Sequence, residues 1–393
     1  MFNSKKLWPR RPLIRKSALA ALAAATVLLV PNAVANAQSG PPASTGQDTV
    51  AHDRGRHVDA TASVPISFQV KNVNRSKVAC ASDGKTYTVR GHLVGPADML
   101  RSGRTNAVTL YLHGLSFGEF FWDFQQAQGY DYAANQAAQG QVSVIVDRLG
   151  YNSSDKPNGN NICVGSRADI AHQMVQALRS GNYQVNPSGH GPRFSKVVLA
   201  GHSYGGQIVQ LEAYSFHDID GLIVISYADR IQSALLKANA AYATKVCAAG
   251  GLRVGATGPS GYAPFGPPAG APKALFHSAD PRVEAAALQL LTIDPCGDVA
   301  SFAKAVKVDL ANVRSIRVPV LVIAGGSDAL FPPPAVPNQA ALFTGSHSVS
   351  TTTLPGSAHA VAFERAHNQL VSSVANWLRQ HVTGDHDGDD DDD

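Results

Sequence analysis

The sequence predicts an α/β fold, with a mostly parallel central sheet, helices on both faces and a cap inserted late in the sheet. Three observations carry that expectation. Runs 107–112, 142–146, 196–200, 222–225 and 320–324 are almost unbroken β-branched and aliphatic stretches, the composition of strands buried on both faces of a parallel sheet. Helical stretches alternate with them at 168–179, 206–214 and 367–379, which is the order of a sheet covered by helices on both sides. Between 230 and 312 the alternation breaks, leaving helical patches and a Gly/Pro-rich stretch at 250–272.

Each element has its own signal. Ile66 to Val70 and Tyr87 to Arg90 alternate apolar and polar residues, so two half-buried antiparallel strands are expected at the sheet edge. In 367–379, Leu370, Val371, Val374, Trp377 and Leu378 recur at three- and four-residue spacings, which marks one apolar helix face. An insertion at 230–312 falls over the carboxyl ends of the strands, where open α/β sheets bind ligands. It reads as a cap or lid; the alternative is a long surface excursion with no role in substrate choice. The core is accordingly expected at 64–229 and 313–382.

Composition narrows the class. Of 393 residues, 44% are hydrophobic and 16% are charged, which supports a large core and excludes a disordered, highly solvated chain. The formal charge of +4 is unevenly placed: Lys5, Lys6, Arg10, Arg11, Arg15 and Lys16 carry six positive charges, and without them the balance is about −2. A nucleic-acid-binding surface is therefore not expected. That basic stretch precedes an apolar run at 18–30 and the small-residue site Ala35-Asn36-Ala37, the three parts of a secretory signal. Residues 1–37 are read as that signal, and the mature chain as secreted. The apolar run is short for a membrane span; an uncleaved N-terminal anchor is the alternative.

Residues 38–63, rich in Ser, Pro, Gly and Asp in their first part, read as a flexible mature N-terminus. The tail 383–393 contains seven aspartates. Its Asp385-His386-Asp387-Gly388-Asp389 run lacks the closing glutamate of a calcium loop and reads as a solvated acidic tail. Four cysteines, an even number in an exported chain, imply two disulfides. The pairing Cys80–Cys163 with Cys247–Cys296 is expected, because each bridge then staples one region. No pair has metal-site spacing.

The chemistry is carried by Gly201-His202-Ser203-Tyr204-Gly205, which follows a strand and opens a helix. A sharp strand-to-helix turn exposes the serine above the sheet, and flanking glycines keep the turn free of clashes. A serine needs a base, and the base an orienting acid. Asp328, in Gly325-Gly326-Ser327-Asp328, ends the last apolar strand, and His359 lies 31 residues on. Asp229 competes for the acid, because it too follows a strand; His347 and His367 are weaker candidates for the base. The oxyanion donors are expected to be the amides of Tyr204 and of Leu115, after the strand ending Tyr111-Leu112-His113-Gly114. His113 itself reads as structural. Phe117, Phe120, Phe121 and Trp122 either line an acyl pocket or anchor the following helix.

From about 64 to 380 the chain resembles the α/β-hydrolase superfamily, with His113-Gly114, the Ser203 turn, Gly325 to Asp328 and His359 in matching order. Asp147-Arg148-Leu149-Gly150-Tyr151-Asn152-Ser153-Ser154-Asp155 is similar to the D-x-x-G-x-G-x-S segment of capped members, with Asn152 in place of the second glycine. The resemblance implies hydrolysis through an acyl-enzyme, with no metal or organic cofactor. Ser203 in place of aspartate argues against epoxide hydrolases and haloalkane dehalogenases. The expected function is cleavage of a carboxylic ester of an apolar, small or medium-sized substrate. A lactonase or amidase on the same triad, a perhydrolase or carbon–carbon lyase, and a non-catalytic extracellular binding protein are the alternatives.

Overall fold

The computed structural model describes residues 60–102, 105–186 and 189–384. The expected signal at 1–37, most of the segment 38–63 and nearly all of the acidic tail lie outside them. The strands are β1 (Thr61–Lys71), β2 (Thr86–Pro96), β3 (Ala107–Leu112), β4 (Ser143–Asp147), β5 (Gln184–Val185), β6 (Gly189–His190), β7 (Lys196–His202), β8 (Gly221–Ile225), β9 (Tyr262–Ala263), β10 (Asp294–Pro295), β11 (Val320–Gly325) and β12 (Val349–Leu354). Ten of them form one sheet in the order β12-β11-β8-β7-β3-β4-β2-β1-β5-β6, and β9 pairs with β10 separately.

From β12 to β4 every neighbouring pair is parallel. All residues of β3, β4, β8 and β11 are buried, which explains their unbroken apolar sequences. Burying each Val, Leu or Ile side chain contributes roughly 1.5–3 kcal/mol. The half-polar strands β1 and β2 are antiparallel to their neighbours. They are not the outermost strands, however: β2 bridges β4 and β1, and the β5–β6 hairpin extends the sheet beyond β1. That hairpin is too short and polar to announce itself in the sequence. Strand β1 also begins at Thr61, ahead of the expected start at 64.

The helices are α1 (Ala97–Ser102), α2 (Tyr132–Ala137), α3 (Val164–Ser180), α4 (Tyr204–Phe216), α5 (Ala234–Ala248), α6 (Ala271–Leu275), α7 (Pro281–Leu290), α8 (Cys296–Asn312), α9 (Ala335–Ala340) and α10 (His367–Leu378). Local chemistry sets their ends. Helix α3 stops at Gly181, whose φ of 74° gives the left-handed cap that favours glycine. Helix α5 starts where the Ser233 side chain accepts from the Leu236 amide, and α7 where Asp280 accepts from Arg282 ahead of Pro281.

Helices α3, α4 and α8 pack on one another, and α2 packs on α10. The contacts of α8 differ from the sequence expectation, which places all of 230–312 in the cap. Val299, Phe302 and Ala305 are buried, so α8 belongs to the helical layer beside the sheet. Both expected disulfides form, Cys80–Cys163 and Cys247–Cys296. The second joins the end of α5 to the start of α8, fastening the inserted segment to that layer. A native bridge of this kind contributes about 2–5 kcal/mol.

A buried ion pair fixes α8 against α3. The Arg167 guanidinium donates through Nη2 to Asp298 Oδ2 at 2.7 Å and through Nε to both carboxylate oxygens at 3.2 Å. Both residues are buried. Removing one partner of such a pair leaves an uncompensated interior charge. Asp298→Asn is therefore expected to destabilise the protein by about 3–5 kcal/mol, read as a lower urea midpoint at unchanged slope. A loss below about 1 kcal/mol, the range of exposed pairs, would show that the joint does not depend on this charge.

Candidate active site

Ser203 joins β7 to α4 with φ 53° and ψ −122°. This backbone conformation is strained for a residue with a side chain, at a cost on the order of 1–3 kcal/mol. The Ser203 amide donates to the Ile225 carbonyl at 2.8 Å, which ties the turn to β8. The flanking glycines are required by packing. A Cβ on Gly201 would lie 2.1 Å from the Gly205 carbonyl oxygen, and one on Gly205 would lie 2.2 Å from that of Leu112.

Asp328 follows β11, and His359 lies on the loop after β12. His359 Nδ1 donates to Asp328 Oδ2 at 2.8 Å, with both side chains buried. The other carboxylate oxygen accepts from the amides of Leu330 and Phe331 at 2.8 and 3.0 Å. The competing residues are engaged elsewhere. Asp229 binds Gln210, Tyr227 and Gln339. His347 faces the Arg317 carbonyl, and His367 that of Glu364.

His202, inside the Ser203 motif, was not singled out by sequence reasoning. Its Nε2 lies 2.9 Å from the His359 carbonyl, so that nitrogen carries the proton and donates. Burial, and then the neighbouring His359, hold its pKa well below the ordinary range. The neutral ring stacks on Phe121 at 4.1 Å and anchors the backbone of His359.

The loop after β3 is held by a second polar set. His113 Nδ1 donates to the Gly114 carbonyl at 2.8 Å, and its Nε2 accepts from the Arg148 amide at 3.1 Å. Burial and the adjacent Arg148 keep this imidazole neutral, its pKa well below the ordinary value. The Arg148 side chain also donates to the Gly114 carbonyl at 3.0 Å. Next along the loop, Ser116 has φ 63°. Its amide and hydroxyl donate to the carboxylate of Asp294 at 2.6 and 3.0 Å, and Tyr151 adds a third donor at 2.8 Å. The sequence offered no signal for Asp294, which lies 178 positions from Ser116.

Ser203 and His359 line one pocket together with Leu115, Ser116 and Phe117 from the β3 loop. Asn239, Phe265, Leu275 and Leu291 contribute from the inserted segment, and Leu330 from beside Asp328. A second pocket, sharing Ser116, Phe265 and Leu291, continues between the inserted elements. Of the four aromatic residues expected here, only Phe117 reaches the pocket. Phe121 and Trp122 are fully buried: the first packs on His202, the second between Tyr111 and Tyr132. Phe120 stacks on Phe363. Three of the four therefore anchor the loop; they do not line the cavity.

Two further carboxylates brace this region. Asp147 accepts from the Glu119 amide, the Asn152 side chain and both donors of Ser153. Asn152 stands at φ 27°, where the resembling segment has glycine, and its bond to Asp147 compensates for that conformation. Buried Glu364 accepts from His277, Ser278 and Ala358, linking the inserted segment to the His359 loop. Near the same loop, His92, Glu119 and Asp123 form one cluster with metal-ligand spacing. Burial and Glu119 raise the Asp123 carboxyl to about 7.

A family model described as the alpha/beta hydrolase family matches residues 110–372, and the chain belongs to that family. No curated protein sequence matches it significantly. Among solved structures it is similar to a thermophilic esterase from Thermogutta terrifontis, with 19% identity over 80% of this chain and 100% of that one, at a TM-score of 0.55. It is also similar to a monoacylglycerol lipase from Paleococcus ferrophilus, with 17% identity over 70% of this chain and 94% of that one, at a TM-score of 0.50. These likenesses are of fold.

Burial raises the Asp294 carboxyl from 3.8 to about 6, against the lowering effect of the Ser116 and Tyr151 donors. The folded chain thus keeps a proton that the unfolded chain releases. The contribution of this group to stability is complete below about pH 3.8 and is lost as the pH rises to about 6. Asp294→Asn, which cannot ionise, is expected to flatten the dependence of the urea midpoint on pH across that window. An unchanged dependence would place the titration elsewhere.

Proposed function

We propose that this protein is a secreted serine hydrolase that cleaves a carboxylic ester of an apolar, small or medium-sized substrate through an acyl-enzyme. The observation that carries the reading is the convergence of a strained Ser203 and an aspartate-held His359 on one largely apolar pocket. In this reading Ser203 Oγ attacks the ester carbonyl carbon while His359 Nε2 takes the hydroxyl proton. The Nδ1–H bond to Asp328 sets the tautomer and stabilises the imidazolium that forms. The amides of Leu115 and Tyr204 are the assigned oxyanion donors, the second at the N-terminus of α4. Collapse of the tetrahedral species expels the alcohol, protonated by His359. Water then attacks the acyl-enzyme, with His359 again as base.

The apolar lining supports an acyl or aryl group over a charged one. The inserted elements ahead of α8 serve as the lid in this reading, supported by the seven pocket residues they supply. Export is supported by the two disulfides, which persist in oxidising compartments. Among the described residues no helix is long and apolar enough to cross a membrane.

Hydrolysis of p-nitrophenyl butyrate tests the assignment. Ser203→Ala is expected to lose on the order of 10⁴-fold or more in kcat, with its urea midpoint unchanged, because alanine keeps the Cβ and the same backbone strain. Asp328→Asn, which presents the wrong tautomer to the histidine, is expected to lose about 10⁴-fold. Turnover by folded Ser203→Ala at the wild-type rate would reject the mechanism.

A further inference from the structure

The helix that begins at Ser203 carries an unexplained group near its other end. Glu212 lies nine residues along α4, about 14 Å by the helical rise. Its side chain is fully buried, and neither carboxylate oxygen has a hydrogen-bond partner among the described residues. Burying a carboxylate without a partner is strongly unfavourable. Folds resolve this by a proton or by a cation.

The surroundings supply the rest of a cation site. His172 on α3, Glu212 on α4 and Asp218 just beyond α4 each present one ligand atom, and all three atoms lie within 4.8 Å of one another. Asp218 Oδ2 accepts from His172 Nδ1 at 2.7 Å and from Gln176 Nε2 at 2.5 Å, whereas Oδ1 is buried and unpartnered. The His172 ring is fixed by stacking on Phe216 at 4.1 Å. The nearby Arg179 guanidinium is committed to the Asp218 backbone carbonyl and the Asp220 carboxylate. His172 and Asp218 keep 19% and 16% of their side chains exposed, which leaves an ion a route inward. One imidazole nitrogen with two carboxylate oxygens suits zinc or a similar divalent cation, with water completing the shell.

We propose that His172, Glu212 and Asp218 form a structural divalent-cation site that ties α3 to the C-terminal end of α4. The ion takes no part in hydrolysis. It neutralises the two carboxylates and steadies the helix whose other end positions Ser203. The competing arrangement is a single proton shared between Glu212 and Asp218, which burial and mutual repulsion favour by raising the Glu212 carboxyl well above its ordinary value.

Titration of chelator-treated full-length protein with zinc chloride, followed by calorimetry and thermal melting, separates the two. The proposal expects one tightly bound zinc per chain and a melting temperature raised by several degrees. Both effects disappear in Glu212→Gln and in His172→Ala and persist in Asp123→Asn, which disrupts the His92–Glu119–Asp123 cluster. The glutamine is nearly isosteric with a neutral carboxylic acid, so Glu212→Gln keeps its fold. Absence of tight binding, with Glu212→Gln melting higher than the wild type, establishes the shared proton and overturns the proposal. Binding that survives Glu212→Gln, or that is lost in Asp123→Asn, also overturns it. The readouts do not depend on ester hydrolysis, so the result stands whatever the fate of the assigned triad.

Discussion

Ser203 occupies a backbone conformation that an isolated chain would avoid, and much of the molecule is arranged to enforce it. Strand β7 drives straight into helix α4 with one residue to turn the corner. The corner closes only because Gly201, Gly205 and Leu112 bring their backbones within distances that no Cβ would tolerate. The amide of Ser203 is then pinned to β8. The buried parallel strands at the centre of the sheet form a frame rigid enough to hold such strain, since each of them is fixed by hydrogen bonds on both sides and by apolar packing on both faces.

Around that corner the interior is unusually polar, and the polar groups form connected sets. His202 secures the backbone of His359; His113 and Arg148 secure Gly114; Asp294 secures Ser116. Asp298 adds a fourth set, accepting from Arg167 and from the hydroxyl of Tyr204, the residue after Ser203, and it lies 3.9 Å from the Arg148 guanidinium. The His202 and His113 sets tie sheet loops to one another, whereas Asp294 ties the β3 loop to the inserted segment and Asp298 ties α3 and α4 to α8. The pocket wall and the candidate catalytic residues therefore share their supports, and a disturbance of one is felt by the other. Two histidines in this network are held neutral by burial, which suits them to fixed hydrogen bonding and leaves His359 as the imidazole paired with a carboxylate.

Much of this was legible in the sequence, for identifiable reasons. A strand buried on both faces has to be apolar throughout, so β3, β4, β7, β8 and β11 announce themselves. A serine at a sharp strand–helix corner needs small neighbours, so the Ser203 motif does too. Asp229 and Asp328 both follow a strand and both satisfy the order serine, acid, histidine, so the pairing of His359 with Asp328 is decided by three-dimensional contact, whereas the disulfides follow regional proximity. What was hidden depends on distant contacts. Nothing local marks Asp294 as the acceptor for Ser116, or Asp298 as the partner of Arg167. The aromatic run from Phe117 to Trp122 looks alike in sequence, yet only three-dimensional packing sends Phe117 to the pocket and its neighbours inward. Helix α8 falls in the expected cap because 230–312 contains no core strand; that its apolar face turns to α3 and α4 is something periodicity alone does not reveal.

The central claim is that Ser203 is an activated nucleophile and His359 its base. Labelling the full-length purified protein with a fluorophosphonate probe, and mapping the adduct by mass spectrometry, tests it directly. The account predicts one adduct, on Ser203, that is abolished in a folded His359→Ala variant. An unlabelled wild-type protein, or an adduct on Ser203 that forms equally fast without His359, would contradict it.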